Sequence, residues 1–424
     1  FVDAFYIVPL RHCERRWYCF TFRGKWYVFL VVCMGARGGP TIWGRVAALL
    51  GRITQSLHAP GEVRTQIYVD DPCIAIWGNA AIRDQVAATI MLVWLALGVR
   101  LAFPKGMLAA EAEWIGIRFA VAPPILTASI KEALIAEIRS EARSFMDVNV
   151  IPRKRFLSFI GKCNHVATLL YGWRPFLREL WAVVSETPDA TGAPQGCVWT
   201  KQCAHTLLWV LAFCDGRQGA LSIRYDVRAY LAPHRAVQIA SDACVWGSGA
   251  VLILDGRPAE WFGVAISEMD AETLGHAVGD PKGQQTWECL AVLVALRVWR
   301  AEWWSHRMLL TVRADSIVAL SVVANMKAAG RAPNLIAREM ALDFGDACYR
   351  PRVTDHTPGV CNVLADVISR RFHPGVDFRV PVALRDAKEV SPPTRDKAWW
   401  RARLPPQALS ITAAAPQLET KNGL

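Results

Sequence analysis

Two groups of acidic residues have the types and spacing that metal-dependent chemistry requires. In the first group, residues 67–72 read IYVDDP, so Asp70 and Asp71 lie side by side between apolar segments. Adjacent carboxylates at a strand turn can hold a divalent cation, although Asp-Asp is also ordinary turn chemistry at the tip of a hairpin. The neighbouring segments must decide between a metal site and a structural turn.

The second group lies in the carboxyl-terminal half of the chain. SDACVWGSG places Asp242 at the end of a predicted strand, TWECLAVLVALRVW places Glu288 near the start of a helix, and VRADS places Asp315 at the end of another strand. His356 and Asp366 follow within HTPGVCNVLADVISR. Taken singly, Asp315 could cap the following helix and Asp366 could be a surface charge. Together, carboxylates at successive element ends indicate a metal site.

The elements that position these residues follow from hydrophobic periodicity. Residues 123–233 are predicted to be mostly helical, with a loop at 187–196 as the joint before a third block. In that block, Gly247 and Gly249 are expected to permit a tight hairpin. Predicted strands are 25–34, 113–121, 237–243, 248–256, 259–266, 307–315 and 350–355, with a hairpin at 66–78. Predicted helices are 41–54, 82–98, 284–303, 316–327, 334–348 and 362–371.

Composition limits the class of partner. Of the 424 residues, 53% are hydrophobic, which is enough to form buried cores. The formal net charge of +11 favours a polyanionic partner such as nucleic acid over an acidic membrane surface. The 12 cysteines form no C-x-x-C pair, so a reducing intracellular setting, cytoplasm or nucleus, is expected. The apolar stretch 86–99 is too short to span a bilayer. Because the chain opens at Phe1 within an apolar run, it is expected to be a fragment.

Five segments, in order, resemble the palm motifs of reverse transcriptases, especially those of DIRS-like retrotransposons. They are DAFYIVPL (3–10), FRGKWYVFLVVCMGARGGPTIW (22–43), YVDD (68–71), LGVRLAFPKG (97–106) and EWIGIRFA (113–120). The resemblance implies an α+β chain with four parts. These are a palm without fingers (1–122), a helical thumb or connection (123–233), an α/β ribonuclease H-like domain with a mixed sheet (234–380) and a loose tail (381–424).

In the palm, the resemblance implies two Mg²⁺ ions, with Mn²⁺ as a substitute, that activate a primer hydroxyl and stabilise pyrophosphate. Asp70 would be the principal metal ligand and Asp71 an auxiliary one. The incoming deoxynucleoside triphosphate (dNTP) would contact Asp3, Ala4, Phe5 and Lys105. Template and primer would contact Tyr68, Val69, Gly35, Pro40, Trp114 and Gly116. The alternatives are a solvated charge for Lys105 and a core position for Trp114.

The palm pattern is interrupted at its start. The family places its first metal-binding Asp five residues before an aromatic gate, and Phe5 matches that gate, so this Asp would precede Phe1. Asp3, which matches a neighbouring position whose backbone contacts the triphosphate, is the alternative ligand. The sequence as it stands therefore predicts a poor polymerase or none.

The basic run Arg153, Lys154 and Arg155 opens a segment that resembles the thumb of these elements. Its cations would contact phosphates without reading sequence, or would form a solvated helix face beside an apolar core. The two interpretations are compatible, and the sequence leaves both open.

In the last domain, the order of strands and helices resembles ribonuclease H. The resemblance implies that Asp242, Glu288, Asp315 and Asp366 bind two Mg²⁺ and position a water for in-line attack on a phosphodiester. His356 would assist product release or proton transfer, or it has a structural role.

The expected function is RNA-directed DNA synthesis and degradation of RNA in RNA–DNA hybrids, with RNA template, DNA primer, hybrid and dNTPs as partners. The alternative is a decayed or domesticated nucleic-acid-binding protein without catalysis.

Overall fold

The computed structural model describes most of the chain in seven stretches: 1–59, 61–185, 193–226, 236–303, 309–346, 353–404 and 406. They belong to two compact units, Phe1–Phe119 and Ala120–Leu424. Among these residues, no helix combines the length and apolar character that a membrane crossing needs. Because the ranges 123–233 and 234–380 both lie in the second unit, their separation into two domains stays a prediction.

The first unit packs helices and hairpins around a tryptophan-rich core. Asn79 starts the second helix by accepting a hydrogen bond from the Ile82 amide at 3.0 Å, and Pro40 lies in the first turn of the first helix. Trp43 and Trp94 are buried at the centre of the core. The elements are β1 Cys19–Phe22, β2 Lys25–Val28, α1 Gly39–Ser56, β3 Val63–Tyr68, β4 Asp71–Ile76, α2 Ala80–Ala96 and β5 Glu111–Trp114. Strand β6 Ile117–Ala122 begins in this unit and ends in the second.

Two predicted strands of this unit differ from the structure. The strand expected over 25–34 ends at Val28 and pairs with β1 as an exposed hairpin. The single strand expected over 113–121 is two strands, β5 and β6, because Ile115 and Gly116 turn the chain with φ of 51° and 71°. An apolar run indicates a strand but does not indicate where the chain turns. Here it turns at Gly116, which adopts a left-handed backbone conformation without a steric cost.

The second unit begins with a helical layer. Buried rings of Phe145, Phe156 and Phe159 lie between its helices, with ring centroids 5.1–6.2 Å apart. The helical prediction for 123–233 missed an antiparallel strand pair, Ile125–Ile130 with Ser222–Asp226, because the two strands are far apart in sequence. Much of the loop expected at 187–196 lies outside the described residues. The elements are β7 Ile125–Ile130, α3 Glu132–Met146, β8 Val150–Pro152, α4 Arg153–Leu169, α5 Arg174–Ser185, β9 Cys197–Trp199, α6 Ala204–Cys214 and β10 Ser222–Asp226.

A mixed sheet organises the rest of the second unit. Its strand order is β15-β14-β11-β12-β13-β16. Strand β12 is antiparallel to β11 and β13, whereas β14 and β15 run parallel to β11. The predicted α+β class with a mixed sheet is confirmed. The elements are β11 Ala236–Ala243, β12 Gly247–Leu254, β13 Arg257–Ala265, α7 Glu268–Leu274, α8 Gln284–Val298, α9 Arg300–Trp303, β14 Leu309–Ala314, α10 Ile317–Asn325, α11 Arg331–Asp346, β15 Val353–His356, α12 Val363–Ser369 and β16 Lys388–Glu389.

The segment 381–404, expected to be loose tail, packs against this domain. Leu384 and Trp400 are buried, and Arg395 forms a buried ion pair with Asp270 at 2.6 Å. Strand β16 adds to the sheet beside β13. A Pro- and Ala-rich composition predicted disorder, but a few anchoring side chains are enough to fix an extended segment. Residues 405 and 407–424 lie outside the described residues.

Candidate metal centre and nucleic-acid contacts

Three of the four acidic residues predicted in the last domain converge. Asp242 lies near the end of β11, Asp315 directly follows β14, and Glu288 lies in the second turn of α8. Each offers one carboxylate oxygen, and these oxygens all lie within 4.8 Å of one another. Because β11 and β14 are parallel neighbours, their carboxyl ends meet at the same edge of the sheet, and α8 packs against that sheet.

The cluster is withdrawn from solvent. Asp242 is 5% exposed and Glu288 is 7% exposed, whereas Asp315 is half-buried. Every residue of α8 from Thr286 to Leu296 is buried, so Glu288 is carried into the interior by an otherwise apolar helix face. A carboxylate in that position is costly unless a cation or hydrogen bonds compensate for it.

Burial and mutual repulsion change the acidity of the cluster. Burial, followed by the charges of Asp242 and Asp315, raises the pKa of Glu288 to about 9. Burial also raises the pKa of Asp242 to about 6, against the lowering effect of a hydrogen bond from Ser369. Groups of like charge that are held together in this way bind protons or cations.

Amide and hydroxyl groups hold two of the carboxylates. The Gln284 side-chain nitrogen donates to Glu288 Oε1 at 2.7 Å and to the Ala243 carbonyl at 2.6 Å. The Ser369 hydroxyl lies 2.6 Å from Asp242 Oδ2. These contacts fix the rotamers of Glu288 and Asp242 before any ligand binds.

Asp366 and His356 lie beside the cluster without joining it. Asp366 Oδ1 accepts two hydrogen bonds from the Arg370 guanidinium at 2.7 and 2.8 Å, as an i,i+4 pair on the last helix. Its charge still contributes to raising the pKa of Asp242. His356 is exposed, and its Nε2 lies 3.1 Å from the Asp315 carbonyl oxygen. Its proposed role therefore stays a prediction.

The donor set suits a hard divalent cation. Three carboxylates from three elements offer oxygen ligands, which Mg²⁺ and Mn²⁺ prefer, and the cluster contains no sulfur or imidazole ligand. Among the described residues, no other group of three such side chains has this geometry.

The first unit presents Asp70 and Asp71 differently. Val69, with φ of 54°, and Asp70 form the turn between β3 and β4, where both aspartates are exposed. Tyr68, opposite Asp71 in the hairpin, is also exposed. Within the described residues, no third acidic side chain completes a metal-binding group with this pair. The hairpin prediction is therefore confirmed, while metal binding there stays a prediction.

Two tryptophans and the first residue hold this turn. Trp43 Nε1 donates to the Val69 carbonyl, and Trp114 Nε1 donates to the Asp71 carbonyl at 3.0 Å. The Phe1 amino group donates to the Asp70 carbonyl. Trp114 thus supports the backbone of the acidic turn, a contact that neither of its predicted roles included.

The other predicted nucleotide contacts are spread over this unit. Asp3 has a φ of 52° and pairs with Arg100 at 3.0 Å. Ala4 is buried, Phe5 lies against Trp43 with centroids 6.3 Å apart, and Lys105 is exposed in a short 3₁₀ turn. Their roles in nucleotide binding stay predictions.

The predicted template contacts have distinct backbone positions. Gly35 has a φ of 88° in the loop before α1, and Pro40 lies in the exposed first turn of that helix. Gly116 turns the chain between β5 and β6. Their contacts with template and primer stay predictions.

The basic run 153–155 begins α4 as predicted, and two of its side chains make contacts within the protein. Arg153 donates to the Val184 carbonyl at 3.3 Å, and the Arg155 guanidinium lies over the Phe145 ring at 5.0 Å. Lys154 is exposed. Both readings of this run, phosphate contact and helix face, stay open.

Sequence reasoning missed the polar groups around the metal centre. Gln284 precedes Glu288 by four residues and Ser369 follows Asp366 by three, so helical periodicity places each beside a predicted site residue. The close approach of α12 to Gly249 has no local signal. The predicted tight hairpin joins β11 and β12, and Gly247 and Gly249 lie in β12. A Cβ atom at Gly247 or at Gly249 would lie less than 3 Å from a backbone atom of Ser369.

No family model matches this chain, and no curated protein matches it. Among solved structures, three of a foamy viral protease-reverse transcriptase are similar. One is described as its dRH form in complex with double-stranded DNA, with a TM-score of 0.43 and 13% identity over 84% of this chain. The second is a complex with RNA/DNA hybrid, with a TM-score of 0.42 and 12% identity over 92% of this chain. The third is a complex with double-stranded DNA, with a TM-score of 0.40 and 12% identity over 84% of this chain. This chain spans 55%, 46% and 66% of those chains, respectively. With TM-scores below 0.5, these likenesses do not establish its function.

Proposed function

We propose that the domain from 236 to 404 is a divalent-metal-dependent ribonuclease that cleaves the RNA strand of RNA–DNA hybrids, as part of a retroelement polyprotein related to DIRS-like reverse transcriptases. Asp242, Glu288 and Asp315 hold the metal. Asp366, which pairs with Arg370 on α12 beside the cluster, is the proposed fourth ligand. Mg²⁺ supplies a Lewis acid and an activated water when it is bound.

The observation that supports this proposal most strongly is the convergence of three carboxylates within 4.8 Å at the end of a mixed sheet. Such a cluster would be unfavourable without a cation, as the raised pKa values of Asp242 and Glu288 indicate. The order of elements supports the same proposal, since three consecutive strands, a long helix and a further strand were predicted here, and β11, β12, β13, α8 and β14 follow that order.

For the first unit, we propose nucleic-acid binding at the Asp70–Asp71 turn without efficient polymerisation. Two exposed carboxylates offer fewer ligands than nucleotidyl transfer requires, since two cations about 4 Å apart must be held. The charge of +11 supports a polyanionic partner for the chain as a whole.

The test is cleavage of a labelled RNA–DNA hybrid by the full chain in Mg²⁺. Asp242→Asn keeps the volume of the side chain and removes its charge, so we expect activity to fall by about a hundredfold or more. Asp377→Asn, at an aspartate that is 82% exposed, is the matched control and should cleave like the wild type.

The outcomes separate the two readings. Cleavage of the RNA strand that Asp242→Asn abolishes supports the nuclease. Binding of hybrid without cleavage by the wild type, at any Mg²⁺ or Mn²⁺ concentration, would contradict it and leave the binding-protein alternative.

A further inference from the structure

We infer that Ser369 is a positioning residue for the metal centre: its hydroxyl fixes the Asp242 carboxylate in the orientation that binds the cation. The inference rests on the proposed function of this site. Ser369 is fully buried at the end of α12, and its Oγ lies 2.6 Å from Asp242 Oδ2. No part of the sequence pattern assigned it a role.

The hydroxyl has one proton and two acceptors within reach. Its Oγ also lies 2.9 Å from the Asp366 carbonyl, one turn earlier in the same helix. The Asp242 carboxylate is the closer and the charged acceptor, and charge-assisted bonds of this kind are the stronger ones. The proton therefore goes to Asp242, and the Asp366 carbonyl is the competing acceptor.

The helix reaches Asp242 because the facing strand carries no side chain there. Gly249 is the partner of Asp242 in the β11–β12 register. A Cβ at Gly249 would lie 2.5 Å from the Ser369 backbone nitrogen and 2.8 Å from the Ala365 carbonyl. Any other residue at this position would push α12 outward, so Gly249 allows the short distance between Ser369 and Asp242.

A second buried serine provides the contrast. Ser248 is 1% exposed on β12, and its hydroxyl has no hydrogen-bond partner. If these two buried serines were only small space-filling residues, Ser248 and Ser369 would be equivalent. Only Ser369 contacts a carboxylate of the cluster.

The experiment measures Mn²⁺ binding by calorimetry on the full chain, with Ser369→Ala, Ser369→Thr and Ser248→Ala compared with the wild type. We expect Ser369→Ala to weaken Mn²⁺ binding by about 10- to 100-fold, the usual effect of removing a group that orients a metal ligand. Ser369→Thr keeps the hydroxyl and should restore most of the affinity, and Ser248→Ala should bind like the wild type. Circular dichroism checks that each variant is folded.

Three results would overturn the inference: wild-type affinity in Ser369→Ala, equal losses in Ser369→Ala and Ser248→Ala, or no rescue by threonine. The proposed function fails separately. A wild type that binds Mn²⁺ but leaves the hybrid intact contradicts the nuclease, while the Mn²⁺ affinities still decide the role of Ser369. A wild type that cleaves hybrid with Ser369→Ala unchanged contradicts only the role of Ser369.

Discussion

Metal binding at the carboxylate cluster should depend steeply on pH, because Glu288 must lose a proton to become a ligand. Its pKa is raised to about 9, while that of Asp242 is raised to about 6. Between these values, Asp242 is already ionised and Glu288 is not. Ionising Glu288 near pH 7 therefore costs about 2.7 kcal/mol, and this cost makes the free energy of metal binding less favourable by the same amount.

The magnitude follows from proton linkage. One proton is released for each cation bound in this range, so the dissociation constant for Mn²⁺ should fall about tenfold per pH unit between about pH 6.5 and 8.5. In Glu288→Gln the titrating group is absent. Its affinity should be weaker than that of the wild type near pH 8.5 and nearly independent of pH across the same range.

Calorimetry in two buffers with different ionisation enthalpies measures both the affinity and the number of protons released. The wild type should release close to one proton per Mn²⁺ near pH 7.5, and Glu288→Gln close to none. A pH-independent affinity in the wild type, or an equal slope in both proteins, would refute the reasoning that Glu288 is a protonated ligand in the metal-free site.

Three further predictions concern stability and the acidic turn. Without metal, the folded chain keeps a proton on Glu288 that the unfolded chain releases above pH 4.5, so stability should fall as pH rises towards about 9. Thermal melts in EDTA should show this fall, and should show Glu288→Gln melting above the wild type near pH 9; a wild type that gains stability would contradict it. Asp270→Asn leaves Arg395 buried without its ion-pair partner and should cost about 3–5 kcal/mol in urea unfolding, against a change within about 0.5 kcal/mol for Asp377→Asn. Primer extension by the full chain should be absent or very weak, and extension that Asp70→Asn abolishes would show that the Asp70–Asp71 pair is sufficient.

Local patterns predicted the elements that carry the site. The alternation in VQIASDA and the apolar run after Glu288 placed Asp242 and Glu288 on β11 and α8, and the structure has both elements. The β3–β4 hairpin and helix α1 were predictable for the same reason. Each of these features depends on residues that are close in sequence.

Contacts between distant residues were not predictable. The hydrogen bond from Ser369 to Asp242 joins residues 127 positions apart, so it depends on how α12 packs against β12. The ordered structure of residues 381–404 depends on partners more than 50 residues away in the sequence. One of them is Glu339, whose carboxylate accepts a hydrogen bond from the Ala402 amide. Hydrophobic periodicity contains no information about such partners.

The two-residue strand β16 has a consequence for how the protein behaves at high concentration. Lys388 and Glu389 pair with Glu260 and Trp261, and the Val390 amide bonds to the Trp261 carbonyl, so the outer edge of β13 is occupied at its middle. An open edge of a sheet is a template on which strands of other molecules can add. A chain that ends before Pro381 would expose this edge of β13 beside Trp261. We expect such a chain to aggregate, although every carboxylate of the metal centre is still present.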